Sequence, residues 1–256
     1  MLYAALRKVQ RIIIKPINTR KMAGFMPSIL VLSRSLGCRS GLTKTVINDN
    51  KGVFIYLQKT YESSVYSVKN AFFGGYMSKI KLINASCADQ QVDAVVNAAN
   101  RSLAAGGGIC GVIFRKAGMT ELSDACAKIK TPLNDGEVAI TPAFDMKNAK
   151  YIIHAVGPNF SITPTAFKEL YEAYYNSLWA LKSVGMHSIS FPLISSGIFG
   201  GRLSDPAGES TKQCCRAYLK FVSDYPGYDI DVKLCAFMGA EMKAAKAVFD
   251  SYINDD

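Results

Sequence analysis

The sequence predicts an α/β domain over residues 77–256, built on a mixed or parallel sheet covered by helices on both faces. Strand-like and helix-like segments alternate from Lys79 onward, which is the pattern of such layered folds. Two glycine-bearing loops each follow a strand-like run, and loops at the carboxyl ends of strands in these sheets meet at one edge as a single cleft. Charge sets the domain boundary. Residues 1–76 hold 12 Lys and Arg against only Asp49 and Glu62, which carries the whole +10 of the chain, and residues 77–256 hold 18 of each sign.

The strands fall near 79–83, 93–97, 137–141, 151–155, 188–193 and 231–236. Helices follow from apolar spacing. Phe167, Leu170, Tyr174, Leu178 and Leu181 mark one face, with Trp179 beside it. Thr211, Cys215, Tyr218 and Val222 mark a second, started by Asp205 as a cap with Pro206 in the first turn. Met242, Ala245, Phe249 and Tyr252 mark the last. All three stripes read as packing rather than as a cofactor pocket.

Residues 1–76 form a basic extension whose apolar runs, Ile12 to Ile14 and Ile29 to Leu32, are interrupted by Pro16 and Pro27. A mitochondrial-type transit peptide fits the Arg- and Ser-rich, acid-poor residues 1–44. A secretory signal fits poorly, because Gly24, Pro27 and Ser28 break the apolar stretch, and a membrane span would need about twenty apolar residues. A disordered tail, or a segment that is not natively translated, is the competing reading. Gly74-Gly75-Tyr76-Met77 can be encoded by a purine-rich run just ahead of an ATG, so Met77 is an expected alternative start. Nucleic-acid binding is not expected of the neutral portion and would have to act through residues 1–76.

The seven cysteines, Cys38, Cys87, Cys110, Cys126, Cys214, Cys215 and Cys235, are an odd number without CxxC spacing or a Cys/His cluster. They point to a reducing compartment, with most of them small buried apolar groups, and indicate neither disulfides nor a metal site. The expected setting is cytoplasmic, or mitochondrial if the extension is a transit peptide.

Most of the chemistry lies in Val92-Asp93-Ala94-Val95-Val96-Asn97-Ala98-Ala99-Asn100-Arg101-Ser102-Leu103-Ala104-Ala105-Gly106-Gly107-Gly108-Ile109-Cys110-Gly111. A buried strand runs into a polar bend, then three glycines, then the start of a helix. Glycines let the backbone approach a ligand, and the helix opening behind them directs free N–H groups at an anion such as a phosphate. The P-loop pattern is excluded because Ile109 and Cys110 stand where Lys and Ser or Thr are required. The dinucleotide fingerprint is excluded because Gly106, Gly107 and Gly108 are contiguous and Asp124 lies too close.

Asn-Ala-Ala-Asn-x-x-Leu-x-x-Gly-Gly-Gly strongly resembles the first ligand loop of macrodomains, the ADP-ribose-binding family. Further blocks follow in the family's order: Gly136 to Pro142 and Tyr151 to Pro158 resemble its two central strands, and Ser190 to Gly200 its second ligand loop. The resemblance covers about residues 77–252 and implies a three-layer α/β/α fold with a mixed, mostly parallel sheet. It also implies a monomeric hydrolase that removes mono-ADP-ribose from modified proteins, or acts on related ADP-ribose derivatives, with water as nucleophile and no metal or other cofactor. A non-catalytic ADP-ribose reader is the alternative.

Carried onto this sequence, the resemblance makes Asn100 the holder of the distal ribose, with turn capping as the competing reading, while Asn97 ties the loop. Gly106, Gly107, Gly108 and Ile109 on one side, with Ser195, Ser196, Gly197, Ile198 and Gly200 on the other, would clamp the diphosphate through backbone amides. Phe199 would lie against the distal ribose.

Two departures stand out. Many hydrolytic members carry Asp where this chain has Cys110, which removes one means of placing the attacking water, although substrate phosphate and ribose can hold it. A thiol at a helix start can also act as a nucleophile. Ser86 stands where the family has an Asp that accepts from the adenine amino group, so base selectivity should fall by about 1 kcal/mol or more. Asp89 would substitute only if the loop shifted. His154 and His187 lack a triad-like neighbour in sequence and read as non-catalytic.

Overall fold

Ala94, Val95, Val96 and Asn97 are all completely buried. A strand covered on both faces reads as a continuous apolar run, and this one lies inside a six-stranded sheet. The computed structural model describes residues 30–35, 42–49, 52–59 and 78–253. The chain divides into two compact units, residues 1–76 and 77–256.

In the first unit, β1 (Leu30–Ser35), β2 (Leu42–Asp49) and β3 (Gly52–Lys59) form an antiparallel sheet in that order. Leu30 pairs with Asn48 and Leu42 with Lys59. No periodicity in the sequence marks these elements. Val46-Ile47 and Val53-Phe54-Ile55-Tyr56 have high β propensity but no polar/apolar alternation, so propensity supplies a signal that periodicity lacks. The transit-peptide reading covers residues 1–44, of which 1–29 and 36–41, with Cys38, lie outside the described residues, as does Met77 of the late-start reading.

In the second unit, the strands are β4 (Lys79–Ile83), β5 (Ala94–Ala99), β6 (Val138–Pro142), β7 (Tyr151–Val156), β8 (Ser188–Pro192) and β9 (Asp231–Cys235). Their order is β4-β9-β8-β5-β7-β6, and every pairing is parallel except β6 with β7. The helices are α1 (Gly108–Ala117), α2 (Met119–Ala127), α3 (Phe167–Ser183), α4 (Pro206–Asp224) and α5 (Gly239–Ile253). All six expected strands and all three apolar helix stripes form at the anticipated places.

Alternation along the strands divides the core into two layers. Val96 and Ile153 join Leu170, Tyr174, Phe221 and Phe249 of α3, α4 and α5. Val95 and Ile152 join Ile113, Phe114 and Leu122 of α1 and α2. Each large buried side chain contributes about 1.5–3 kcal/mol of transfer energy, so both helical layers are required to hold the sheet. Trp179 falls outside the α3 stripe and is 53% exposed. No helix among the described residues is long and apolar enough to cross a membrane.

Asp93 ties the starting ends of three strands together. Its carboxylate accepts from the backbone N–H groups of His187 (3.2 Å) and Ser188 (3.1 Å), from Ser188 Oγ (2.7 Å) and from Lys150 Nζ (2.9 Å). Burial pushes the Asp93 pKa up, but these hydrogen bonds and the Lys150 charge outweigh it and bring it down to about 2.

Candidate active site

Because β5, β7 and β8 are parallel neighbours, the segments leaving Ala99, Val156 and Pro192 emerge at one rim of the sheet. The two loops predicted from the glycines therefore leave the sheet at the same rim, as does the segment after Gly157. His187 precedes β8 and so lies at the opposite rim, where its Nδ1 is 2.7 Å from the Asp229 carbonyl.

The first loop is closed by Asn100. Its Oδ1 accepts from Ala104 N–H (3.1 Å) and from Ser102 Oγ (2.8 Å), and its Nδ2 donates to the Ala104 carbonyl (2.8 Å). The amide thus caps the turn, and its second N–H makes no hydrogen bond among the described residues. Leu103 anchors the loop, taking φ +57° to bury its side chain to 1% exposure.

Gly106 and Gly107, ahead of α1, and Gly108, its first residue, are exposed. Gly108 takes φ +59°, which favours glycine. No side chain caps α1, its first turn holds no acid, and Arg115 and Lys116 sit in its last turn, so its amino end is open to an anion. Gly111 lets the helix close on the loop, since a Cβ there would stand 2.6 Å from the Gly106 carbonyl oxygen. Ile109 packs on the core below.

The second loop is held from beneath. Ile194 N–H donates to Tyr174 Oη (2.9 Å), and Ser210 Oγ donates to the Ile194 carbonyl (2.7 Å). Ser195 takes φ +58° and donates its hydroxyl to the Pro158 carbonyl (2.8 Å), while Ser196 donates to Leu193 (2.9 Å). Phe160 N–H donates to the Phe199 carbonyl (2.9 Å), and a Cβ on Gly157 would stand 2.4 Å from Ser195 Oγ. The Ser195 hydroxyl is committed to main chain, and that of Ser196 also lies 3.5 Å from Glu241 Oε1. Ile198 is 92% exposed, Gly197 is exposed, Phe199 is half-buried and Gly200 is buried.

The Macro domain family profile matches residues 96–208. The O-acetyl-ADP-ribose deacetylase of Salmonella typhimurium is 37% identical over 152 residues, 58% of this chain and 82% of that protein. The chain belongs to the macrodomain family. The ADP-ribose glycohydrolase of Mus musculus is 42% identical over 124 residues, 48% of this chain and 38% of that protein. The Oceanobacillus iheyensis macrodomain solved with ADP superposes with a TM-score of 0.62 at 27% identity, covering 72% of this chain and 95% of that one.

Within this macrodomain, Cys110 lies under the first loop at 5% exposure. Its thiol is 3.8 Å from the Ala104 carbonyl that it faces as a donor, and its Sγ accepts from Asn97 Nδ2 (3.6 Å). It is placed as part of the loop's floor, and no His is hydrogen-bonded to it among the described residues. Asn97 also donates from Nδ2 to His154 Nδ1 (3.1 Å), and its own Oδ1 is buried without a partner among the described residues. Burial lowers the His154 pKa to about 4, so the ring is neutral, and Nε2 faces Thr141 Oγ1 at 3.0 Å. Accepting at Nδ1 leaves the proton on Nε2 to donate to Thr141. Burial pushes the Cys126 thiol up to about 11, with Cys110 adding to the effect, and the Cys215 and Cys235 thiols to about 12. Such thiols stay protonated and are poor nucleophiles.

Ser86 caps a 3-10 turn, Cys87–Asp89, by accepting from Ala88 N–H (3.3 Å). Its hydroxyl donates no hydrogen bond among the described residues. Asp89 is ion-paired with Lys116 of α1. Tyr174, Ser210 and Gly157 seat the second loop without any site signal in the sequence, and Phe237 and Met238 are further residues that the motifs do not mark. The last two stand 72% and 61% exposed just beyond β9 at the same rim. Two adjacent large apolar residues after a buried strand were the available signal.

Proposed function

We propose that this macrodomain binds ADP-ribose across its two rim loops and hydrolyses mono-ADP-ribose from modified protein side chains or related derivatives. The observation that carries the reading is the convergence of the uncapped α1 amino end with the second loop at the ends of adjacent strands β5 and β8. The diphosphate lies against backbone N–H groups of Gly107 to Ile109 and of the Gly197 turn. The remaining Asn100 N–H donates to a distal ribose hydroxyl, Phe199 packs on that ribose, and Phe237 offers a flat face to the base. Water bonds to the anomeric carbon as the bond to the acceptor oxygen breaks, and the water's proton ends on that acceptor. Orientation supplies the rate, with the substrate phosphate holding the water.

A second reading, a reader that binds without cleaving, is favoured by one observation: the first loop offers a buried thiol where a carboxylate could place water. One assay divides them. A mono-ADP-ribosylated protein is incubated with the full chain and the mass of the modified species is followed, with Asn100→Ala as control. Loss of the ADP-ribose mass increment supports the hydrolase, and binding without loss leaves the reader. No calorimetric heat with ADP-ribose at millimolar concentration overturns both.

A further inference from the structure

Beside Phe199 lies a cavity of about 220 Å³ walled also by Arg101, Asp135, Asn159, Ile162 and Thr163. That volume is below the roughly 300–1,000 Å³ of pockets that enclose a whole ligand, so it suits a fragment the size of one side chain. Asp135 is largely covered, with 14% side-chain exposure, whereas Arg101 is 60% exposed. Arg101 Nε and Nη2 donate to the two carboxylate oxygens at 2.9 and 2.8 Å, which fixes the guanidinium plane. Leu133 N–H donates to the Arg101 carbonyl (2.9 Å) and locks the same two segments.

An ion pair this exposed adds little to stability, so its effect is to hold a donor array in place. Both N–H groups of Nη1 and the second of Nη2 stay uncommitted among the described residues. Asn159 Oδ1 is used by Ser161 N–H (3.0 Å), while Asn159 Nδ2 and the Thr163 hydroxyl make no hydrogen bond among the described residues. The cavity therefore presents donors, and its carboxylate is already satisfied on both oxygens. Such a site takes an acceptor-only group.

We propose that this cavity is a carboxylate subsite in which Arg101 binds the acyl oxygens of the group attached to, or just released from, the distal ribose, with Asp135 as its positioning residue. The placement rests on the reading that puts the distal ribose at Phe199. The carboxylate comes either from a protein side chain or from a small free acid.

The test titrates two probes, acetate and a blocked glutamate tripeptide, into the full chain with and without saturating ADP-ribose, against chloride at matched ionic strength. Amide NMR shifts report the site. Expected are saturable shifts at Arg101, Asn159 and Thr163 with millimolar affinity. Arg101→Gln and Asp135→Asn should weaken probe binding at least tenfold and fivefold while ADP-ribose affinity stays within twofold. Thr163→Val, which leaves the ion pair intact, should weaken it severalfold. Tighter tripeptide binding assigns the site to protein side chains, and equal binding to free acids. Shifts elsewhere, or undiminished binding by Arg101→Gln, overturn the proposal. Failure of ADP-ribose to bind would sink the functional reading while carboxylate binding to the unliganded chain still decides this one.

Discussion

Asn100 and Ala104 close a ring, the side-chain amide of one accepting from the N–H and donating to the carbonyl of the other at 3.1 and 2.8 Å. Asn100→Ala removes both bonds and should weaken ADP-ribose binding tenfold or more, about 1.4 kcal/mol. Asn100→Asp should be as poor, because a carboxylate cannot donate to the Ala104 carbonyl and adds charge beside the phosphates. Calorimetric titration measures both, and affinity within twofold of the natural chain for either removes the ring from the account.

At Gly111 two effects oppose. Alanine is favoured over glycine in a helix by about 1 kcal/mol, but its Cβ would stand 2.6 Å from the Gly106 carbonyl oxygen. The clash is with main chain that cannot rotate away, so the loop moves. Gly111→Ala should leave the urea midpoint nearly unchanged and weaken ADP-ribose binding at least tenfold; the reverse pattern would show the loop tolerant of the shift.

Gly157→Ala acts on the other loop. The added carbon meets Ser195 Oγ and Ile194 Cγ2, each at 2.4 Å, and pushes Ser195 off the Pro158 carbonyl. A loss of about 1–3 kcal/mol in stability is expected, the range for overpacking, together with weaker ligand binding. Denaturant unfolding and titration read the two losses separately. Unchanged values in both would mean that the segments are not coupled.

His154 predicts a pH dependence. Its folded pKa of about 4 lies below the ordinary value of 6.5, so between those limits the unfolded chain binds the extra proton. Stability is therefore fully present above pH 6.5, falls as the pH drops toward 4, and levels off below, by on the order of 2–3 kcal/mol in total. His154→Gln should flatten that window in urea titrations at pH 7, 5.5 and 4.5. An unchanged slope would assign it to other groups.

Asp93 adds a second window at lower pH. Its folded pKa of about 2, below the usual 3.8, contributes stability that is present above about pH 4 and lost as the pH falls through 2. After allowance for solvent screening this amounts to about 1 kcal/mol. Asp93→Asn should lower stability at pH 7 by about that much and leave it unchanged at pH 2. Equal losses at both pH values would point to packing instead of charge.

Local patterns in the chain determined the positions of the six strands of the second unit, the three apolar helix stripes, the Asp205 cap and the two glycine loops. These are effects of spacing two to four residues apart, carried by backbone geometry and side-chain periodicity. Even the Asn100 turn is of this kind, and both of its readings were visible. Only the tertiary structure decided that β6 runs antiparallel and that Cys110 becomes floor. It also decided that Tyr174 and Ser210 seat a loop about 20 residues away or less, and that Arg101 meets Asp135 across 34 positions. Such contacts depend on which strands become neighbours, and that choice is made by burying two apolar layers at once, a sum over the whole domain that no short stretch of residues contains.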